Sequence, residues 1–299
     1  MLRRRAGLAL GCVLAVVLSG CGGQEPAQPQ TLGTSSSVPT TTTTTTSTSS
    51  STATPPPSST TTTTTTTKPK ATTTTTKPPV KAVPGGKVVV LDPGHNGGNA
   101  SHAAEINRLV PAGRGRTKPC NTTGTATAGG YAEHAFTWDL AMRVRDALTA
   151  RGVKVVLTRP DNTGVGPCVD RRAAIGNDSG ADAVVSLHAD GSTSAGAHGF
   201  HIAYSSPPLN DAQGEPSMRL ARSLRDGMVA AGLATSTYIG SQGLSARDDL
   251  GGLNLSTRPI ALVECGNMRD TAEAAVLSSA QGRQRYAEAI ANGVLGYLG

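Results

Sequence analysis

Residues 87–299 predict an α/β fold: one domain on a twisted, mostly parallel sheet with helices on both faces. Three observations carry this. Lys87-Val88-Val89-Val90-Leu91, Ala183-Val184-Val185-Ser186-Leu187 and Pro259-Ile260-Ala261-Leu262-Val263 are short apolar runs without polar alternation, as in strands covered on both sides. Segments between them repeat apolar residues at helical spacing. The two patterns alternate along the chain, the order that builds a parallel sheet.

The elements follow in chain order. After the first strand, Phe136, Leu140, Val144 and Leu148 recur every four residues and predict a helix. Arg151-Gly152 ends it, with Gly suited to the left-handed position past a helix C-terminus. Val153 to Leu157 is the next strand, Ala183 to Leu187 another, and Phe200-His201-Ile202 a fourth. Met218, Leu220, Ala221, Leu224 and Met228 suit a helix face. Pro259 to Val263 is a buried strand. Asp270 with Glu273 three residues on marks a helix start, and Tyr286, Ile290 and Val294 give the last helix its apolar face.

The chain has 299 residues and is not uniform. Both Phe, the one Trp and all five Tyr lie after residue 130, so the core is there. Seven of the 27 bases but only one of the 20 acids precede residue 87, so the basic excess belongs to the N-terminal segment and residues 87–299 carry a net charge of only +1. A nucleic-acid partner is therefore not expected, because binding one needs a basic face on the folded part and, for single strands, aromatic platforms.

Residues 1–21 read as an export signal. Arg3, Arg4 and Arg5 precede an apolar run, Ala6 to Leu18, too short to span a bilayer. The run ends in Leu18-Ser19-Gly20-Cys21, which resembles the lipobox of bacterial lipoproteins, in which the Cys is lipidated. An ordinary signal peptide with a chance Cys is the alternative. Residues 22–86 read as a disordered tether: Thr31 to Thr76 contains 25 Thr, and prolines such as Pro55-Pro56-Pro57 interrupt any strand register. The composition resembles cell-wall stalks that carry O-linked sugars. As a flexible coil the tether would span roughly 45 Å, and as extended polyproline II at most about 200 Å. The expected location is outside the cytoplasm, on a lipid anchor at the outer face of the membrane, reaching into the wall.

Three chemically apt residues follow strands. His95 comes shortly after the first strand, and His188 and Glu264 directly after two others. Ligands of parallel sheets bind beyond the carboxyl ends of the strands, so all three would share one edge. Glu133 joins them at the start of the first helix. Two His and one Glu form a known three-ligand set for catalytic zinc, and a second Glu then serves as general base. An isolated His is usually a core or surface residue, and His102, His134, His198 and His201 are read that way.

Four linked motifs together resemble the zinc-dependent N-acetylmuramoyl-L-alanine amidases of bacteria. They are Val90-Leu91-Asp92-Pro93-Gly94-His95-Asn96-Gly97-Gly98, Glu133-His134-Ala135-Phe136, Val185-Ser186-Leu187-His188-Ala189-Asp190 and Ala261-Leu262-Val263-Glu264-Cys265-Gly266-Asn267, over about residues 87–298. Gly152 to Arg159, and Arg172 with Asn177 and Asp182, fit the same pattern. The resemblance implies a six-stranded sheet, one Zn²⁺ held by His95, Glu133 and His188, and Glu264 as the catalytic acid/base. The implied reaction cleaves the amide between N-acetylmuramic acid and L-alanine in peptidoglycan or its muramyl peptides. Asp190, Thr137 and Cys265-Gly266-Asn267 depart from the usual pattern and put substrate contacts in question. No second globular region is expected, so wall targeting would fall to the anchor and tether, and the protein is expected to act as a monomer. A zinc carboxypeptidase of peptidoglycan and a non-catalytic wall-binding lipoprotein are the competing readings.

The cysteines divide by compartment. Cys12 lies in the signal, and Cys21 is the lipidation candidate. Cys120 and Cys168 sit in Gly/Pro-rich loops of an exported domain and are expected to form a disulfide, the alternative being two free thiols. Cys265 adjoins Glu264 on a strand, where alternation turns it toward the core.

Overall fold

The computed structural model describes residues 85–299. The predicted export signal with Cys21, and the predicted tether up to residue 84, lie outside the described residues. No helix among the described residues is long and apolar enough to cross a membrane.

The elements are β1 (Val88–Pro93), α1 (Ala103–Ile106), β2 (Leu109–Pro111), β3 (Thr117–Pro119), α2 (Glu133–Thr149), β4 (Lys154–Leu157), α3 (Val169–Asp178), β5 (Ala183–Asp190), β6 (His201–Ser205), α4 (Glu215–Ala230), β7 (Leu244–Arg247), α5 (Gly251–Leu255), β8 (Ile260–Asn267), α6 (Thr271–Ser278) and α7 (Ala280–Leu298). Six strands form one sheet in the order β4-β1-β5-β8-β6-β7, and β2 and β3 form a separate antiparallel hairpin. Strands β4, β1, β5 and β8 run parallel, and β6 opposes β8. No α-helix lies between β5 and β6, so the chain lacks the crossover needed to re-enter the sheet in the same direction.

Strict alternation on the central strands decides which side chains meet which layer. Val89 and Leu91 of β1, Val185 and Leu187 of β5, and Val263 and Cys265 of β8 join Phe136, Leu140 and Val144 of α2, Leu220 and Leu224 of α4, and Ile290 and Val294 of α7 in the main core. The other face begins apolar, where Val90, Val184, Ile260 and Leu262 pack with Leu250 and Leu253 beside α5. Toward the strand ends the same face turns polar, with Ser186, His188 and Glu264. One face holds the sheet together, and the end of the other is left for chemistry.

The predicted strands are all present, and four of them run further than their apolar cores: β1 continues to Pro93, β5 to Asp190, β6 to Ser205 and β8 to Asn267. The helix start at Asp270 is also present, with its carboxylate accepting the Glu273 N–H at 2.9 Å. Edge strand β7, helix α3, helix α5 and the β2–β3 hairpin were not predicted. Leu244-Ser245-Ala246-Arg247 has no apolar run, because an edge strand needs little. Helix α3 buries Arg172, Ala173 and Gly176, so its inward face carries no large apolar repeat.

Cys120 and Cys168 are joined by a disulfide across 48 residues. Around it, the Val169 N–H donates to the Cys120 carbonyl at 2.9 Å and the Cys120 N–H to the Arg108 carbonyl at 2.7 Å. The bridge therefore ties the strand that leaves the hairpin to the start of α3. Replacing both cysteines with serine should lower unfolding free energy by up to about 4 kcal/mol, the loop-closure value for this separation. Equilibrium denaturation checks this, and an unchanged midpoint would show that the bridge does not constrain the unfolded chain.

Candidate active site

Four side chains from four places converge at the carboxyl end of the sheet. His95 follows β1, Glu133 opens α2, His188 lies on β5 and Glu264 on β8. His188 and Glu264 are register partners on adjacent parallel strands, so both project from the same face. The register shifts between His188 and Asp190, a local irregularity at the end of the strand that carries the site.

Glu133 is buried and sits between the two histidines. His95 Nε2 lies 3.1 Å from its Oε2, and His188 Nδ1 lies 3.0 Å from its Oε1. The Thr125 N–H donates to Oε2 at 3.0 Å and the Ala189 N–H to Oε1 at 3.1 Å. Burial alone would raise its pKa, but His95 and His188 overrule that and hold it well below the usual carboxylate range. Its place in the first turn of α2 adds the favourable helix dipole. Its surroundings thus favour the carboxylate anion. For His95, burial pushes the pKa down, but Glu133 and the Thr122 carbonyl leave it raised overall.

The donor set fits a zinc ion. Ligand atoms from His95, Glu133 and His188 lie within 4.8 Å of one another. His95 Nδ1 is 3.0 Å from the Thr122 carbonyl, which fixes the proton there and leaves Nε2 free toward Glu133. The backbone is pressed against the triad: a Cβ on Gly94 would lie 2.2 Å from the His188 ring, and one on Gly124 would lie 2.8 Å from Glu133 Oε2. Two imidazoles and one ionised carboxylate with an open side could hold a catalytic metal ion such as zinc. Glu264 stands apart from this set. Its Oε2 is buried without a hydrogen-bond partner among the described residues. Burial raises its pKa well above the ordinary value, and the negative charges of Glu133 and Asp190 add to the rise.

His95 occupies the left-handed region, φ 60°, unusual for a non-glycine residue. Two buried arginines hold that turn. Arg172 donates to the Pro93 carbonyl at 2.7 Å, to the His95 carbonyl at 2.8 Å and to Asp92 Oδ1 at 2.9 Å. Arg159 donates to the Pro93 carbonyl at 2.9 Å and, across to α2, to the His134 carbonyl at 3.0 Å. Burial and the neighbouring Arg172 charge bring the Arg159 pKa down to about 9. Asp92 also accepts from Thr158 at 2.6 Å and Ser186 at 2.7 Å. Sequence patterning gave Asp92 and Arg159 no role. The available signal was a charged residue directly after an apolar run, which must be paired if buried.

The pattern departures have structural roles. Thr137 donates to the Gly94 carbonyl at 2.8 Å, supporting the turn before His95. Asp190 accepts from the Tyr238 hydroxyl at 2.8 Å. Asn267 donates to the Ser192 and Ala197 carbonyls at 2.9 and 2.8 Å. Cys265 is buried in the main core. Among the described residues, His102, His134, His198 and His201 are outside the His-Glu-His cluster. His134 pairs with Asn162, His102 and His198 face backbone carbonyls, and burial lowers the pKa of His201 to about 4.

The site opens into a cleft of about 530 Å³. Val184, Ile260 and Leu262 make its floor, α3 and α5 one side, and the chain from Lys118 to Thr125 another. The long segment between His95 and Glu133 is therefore a wall of the cleft.

Comparison with known proteins places this geometry. A family model described as N-acetylmuramoyl-L-alanine amidase matches residues 89–296. The N-acetylmuramoyl-L-alanine amidase Rv3717 of Mycobacterium tuberculosis is 51% identical over 213 residues, covering 71% of this chain and 87% of that protein. The crystal structure of the apo form of the amidase Ami1 from Mycobacterium abscessus matches with a TM-score of 0.69 and 52% identity, over 72% of this chain and 100% of that one. The Ami1 structure from Mycobacterium smegmatis matches with a TM-score of 0.69 and 51% identity, over 72% and 97%.

The arginine clamp beneath the site has a pH signature. Burial would raise the Asp92 pKa, but Arg172, Thr158 and Ser186 bring it down to about 2 from 3.8. A depressed carboxylate pKa stabilises the fold above the unfolded value, and that stability is lost as pH falls through the folded one. Stability should therefore drop by roughly 2 kcal/mol between about pH 4 and pH 2 on account of this group. Denaturation of the parent and Asp92→Asn across that window checks it: the variant should lack this part of the pH dependence, and identical slopes would contradict the account.

Proposed function

Since the chain belongs to the N-acetylmuramoyl-L-alanine amidase family, we propose that it hydrolyses the muramoyl–alanine amide as a zinc enzyme, with His95, Glu133 and His188 holding the metal and Glu264 moving the proton. The observation that carries this reading is the juxtaposition of an ionised, doubly histidine-flanked Glu133 with a second carboxylate, Glu264, whose Oε2 is buried and unpartnered among the described residues. The two carboxylates are pushed in opposite directions, Glu133 toward permanent ionisation and Glu264 toward retaining a proton. Such divergence separates a ligand from an acid/base.

Bound at this triad, zinc supplies Lewis acidity, which lowers the pKa of water to about 7 and polarises an amide carbonyl. The chain's own residues do the rest. Glu264 accepts a proton from the attacking water as the C–O bond forms. It then returns that proton to the alanine nitrogen as the C–N bond breaks, so the leaving group departs as a neutral amine. The positive charge of a metal held by the triad would favour the ionised Glu264 that the first of these steps needs. Thr122 keeps His95 in one tautomer through its carbonyl, and Arg172 holds the His95 backbone in place.

The same reading extends to the cell. A lipid anchor at Cys21 and the Thr-rich stretch up to residue 86 would keep the catalytic domain outside the membrane and within reach of peptidoglycan. A lone acyl chain binds membranes only marginally, whereas the two-chain anchor of a lipoprotein holds firmly.

Two experiments test the reading. With purified protein and a muramyl peptide, His95→Ala should lose zinc and activity together. Glu264→Gln should keep close to one equivalent of zinc while turnover falls about 10²–10⁴-fold. Zinc loss in Glu264→Gln with retention in Glu133→Gln would exchange the two roles, and full turnover in Glu264→Gln would refute the proton shuttle. For the anchor, Cys21→Ala should move the protein from the membrane fraction to the soluble exported fraction, and unchanged fractionation would refute lipidation at this residue.

A further inference from the structure

The β2–β3 hairpin carries a residue that its own pattern does not explain. Leu109, Pro111, Thr117 and Pro119 face outward and are exposed, whereas the register partners Val110 and Lys118 face inward. Val110 is buried, as an inward position requires. Its partner is a lysine where an apolar side chain would pack. Lys118 lines the same cleft as His95, His188 and Glu264. Its stem runs close over α5, where a Cβ on Gly251 would meet Lys118 Cδ at 3.3 Å.

Lys118 forms no salt bridge among the described residues. Asp249, the acid whose charge reaches it, is taken by Arg247 through contacts of 2.7 and 2.6 Å. Of the other cations on the cleft, Arg172 is committed to Asp92 and Arg269 is exposed to solvent. Burial lowers the pKa of Lys118, so its charge is costly until an anion arrives.

The hairpin is also fixed in place. Arg114 at its turn donates to Ser205 and Asn254, both at 3.1 Å, and Arg116 pairs with Asp248 at 3.0 Å. The disulfide at Cys120 begins two residues after Lys118. The backbone that carries Lys118 is thus held at a set place on the cleft wall, which reduces the entropy lost when its side chain is engaged.

We propose that Lys118 is a subsite for a free carboxylate on the peptide side of the scissile amide. The proposal rests on the amidase reading. In a muramyl peptide the lactyl carboxyl is consumed by the scissile amide and the alanine carboxyl by the next peptide bond. Free carboxylates therefore begin with the residue after alanine, one residue away from the reacting bond, and the sugar side offers none. An inward lysine in the same cleft as the metal triad and Glu264 selects that part of the substrate.

The test uses the zinc-loaded full chain and two substrates: N-acetylmuramoyl-L-alanyl-D-glutamate with both carboxylates free, and the same dipeptide with both as carboxamides. In Lys118→Met, kcat/KM should fall about 10-fold or more on the free acid, mostly through KM, as expected for loss of a hydrogen bond to a charged group. It should change less than about twofold on the diamide, where no charge is lost. Lys118→Arg should keep most of the preference for the acid. Zinc content and thermal midpoint of both variants should match the parent. Equal losses on the two substrates, or no loss on either, would overturn the subsite. Failure of the unmodified protein to cleave either substrate would refute the amidase reading, and the subsite with it.

Discussion

One buried negative charge organises the end of the sheet: the carboxylate of Glu133. A lone buried carboxylate is costly, and this one is offset by two imidazoles and two backbone N–H groups drawn from three separate segments. Each partner constrains the architecture. Ala189 and His188 require β5 to reach past its apolar run, Thr125 requires the cleft wall to fold inward, and His95 requires a tight left-handed turn after β1. Helix α2 supplies the carboxylate from its first residue, where the dipole favours it. Remove the charge and these segments lose their common partner.

The turn bearing His95 is in turn held by a second charge system. Arg172 and Arg159 spend nearly all their donors on carbonyls of residues 93–95 and on Asp92, Asn96, His134, Asp161 and Asn162. Backbone carbonyls so engaged cannot drift, and the ligand atom of His95 inherits that rigidity. Ligand placement to a fraction of an ångström is what a metal site needs, and side chains fixed by an outer layer of hydrogen bonds provide it. The stable layer of helices α2, α4 and α7 lies on the opposite face, so the site is built without disturbing the main core.

Much of this was legible in the sequence because the central strands are buried on both faces and carry their catalytic residues at one end. Val88 to Leu91, Ala183 to Leu187 and Ile260 to Val263 announce strands by composition, and His95, His188 and Glu264 stand where ligands gather. Glu133 was legible as a helix start beside the same motifs. Strand β7 and helix α3 were not, because neither owes its place to an apolar stripe: α3 turns Arg172 and Gly176 inward. The Asp92–Arg172–Arg159 system was equally hidden, since pairing between residues 66 to 80 positions apart leaves no local period. Lys118 was hidden for a related reason. Its inward direction follows only from the hairpin register, and a three-residue strand whose partner turns only Val110 inward gives no pattern to read.

His95, Glu133 and His188 are proposed to hold one zinc ion. X-ray absorption at the zinc edge, on the zinc-loaded protein and on His95→Ala, tests this most directly. The parent should hold one zinc per chain, with two imidazole nitrogens at about 2.0–2.1 Å and oxygen ligands at about 2.0–2.2 Å, and the variant should lose that signal. A shell containing sulfur, or a zinc signal that survives unchanged in His95→Ala, would contradict the assignment.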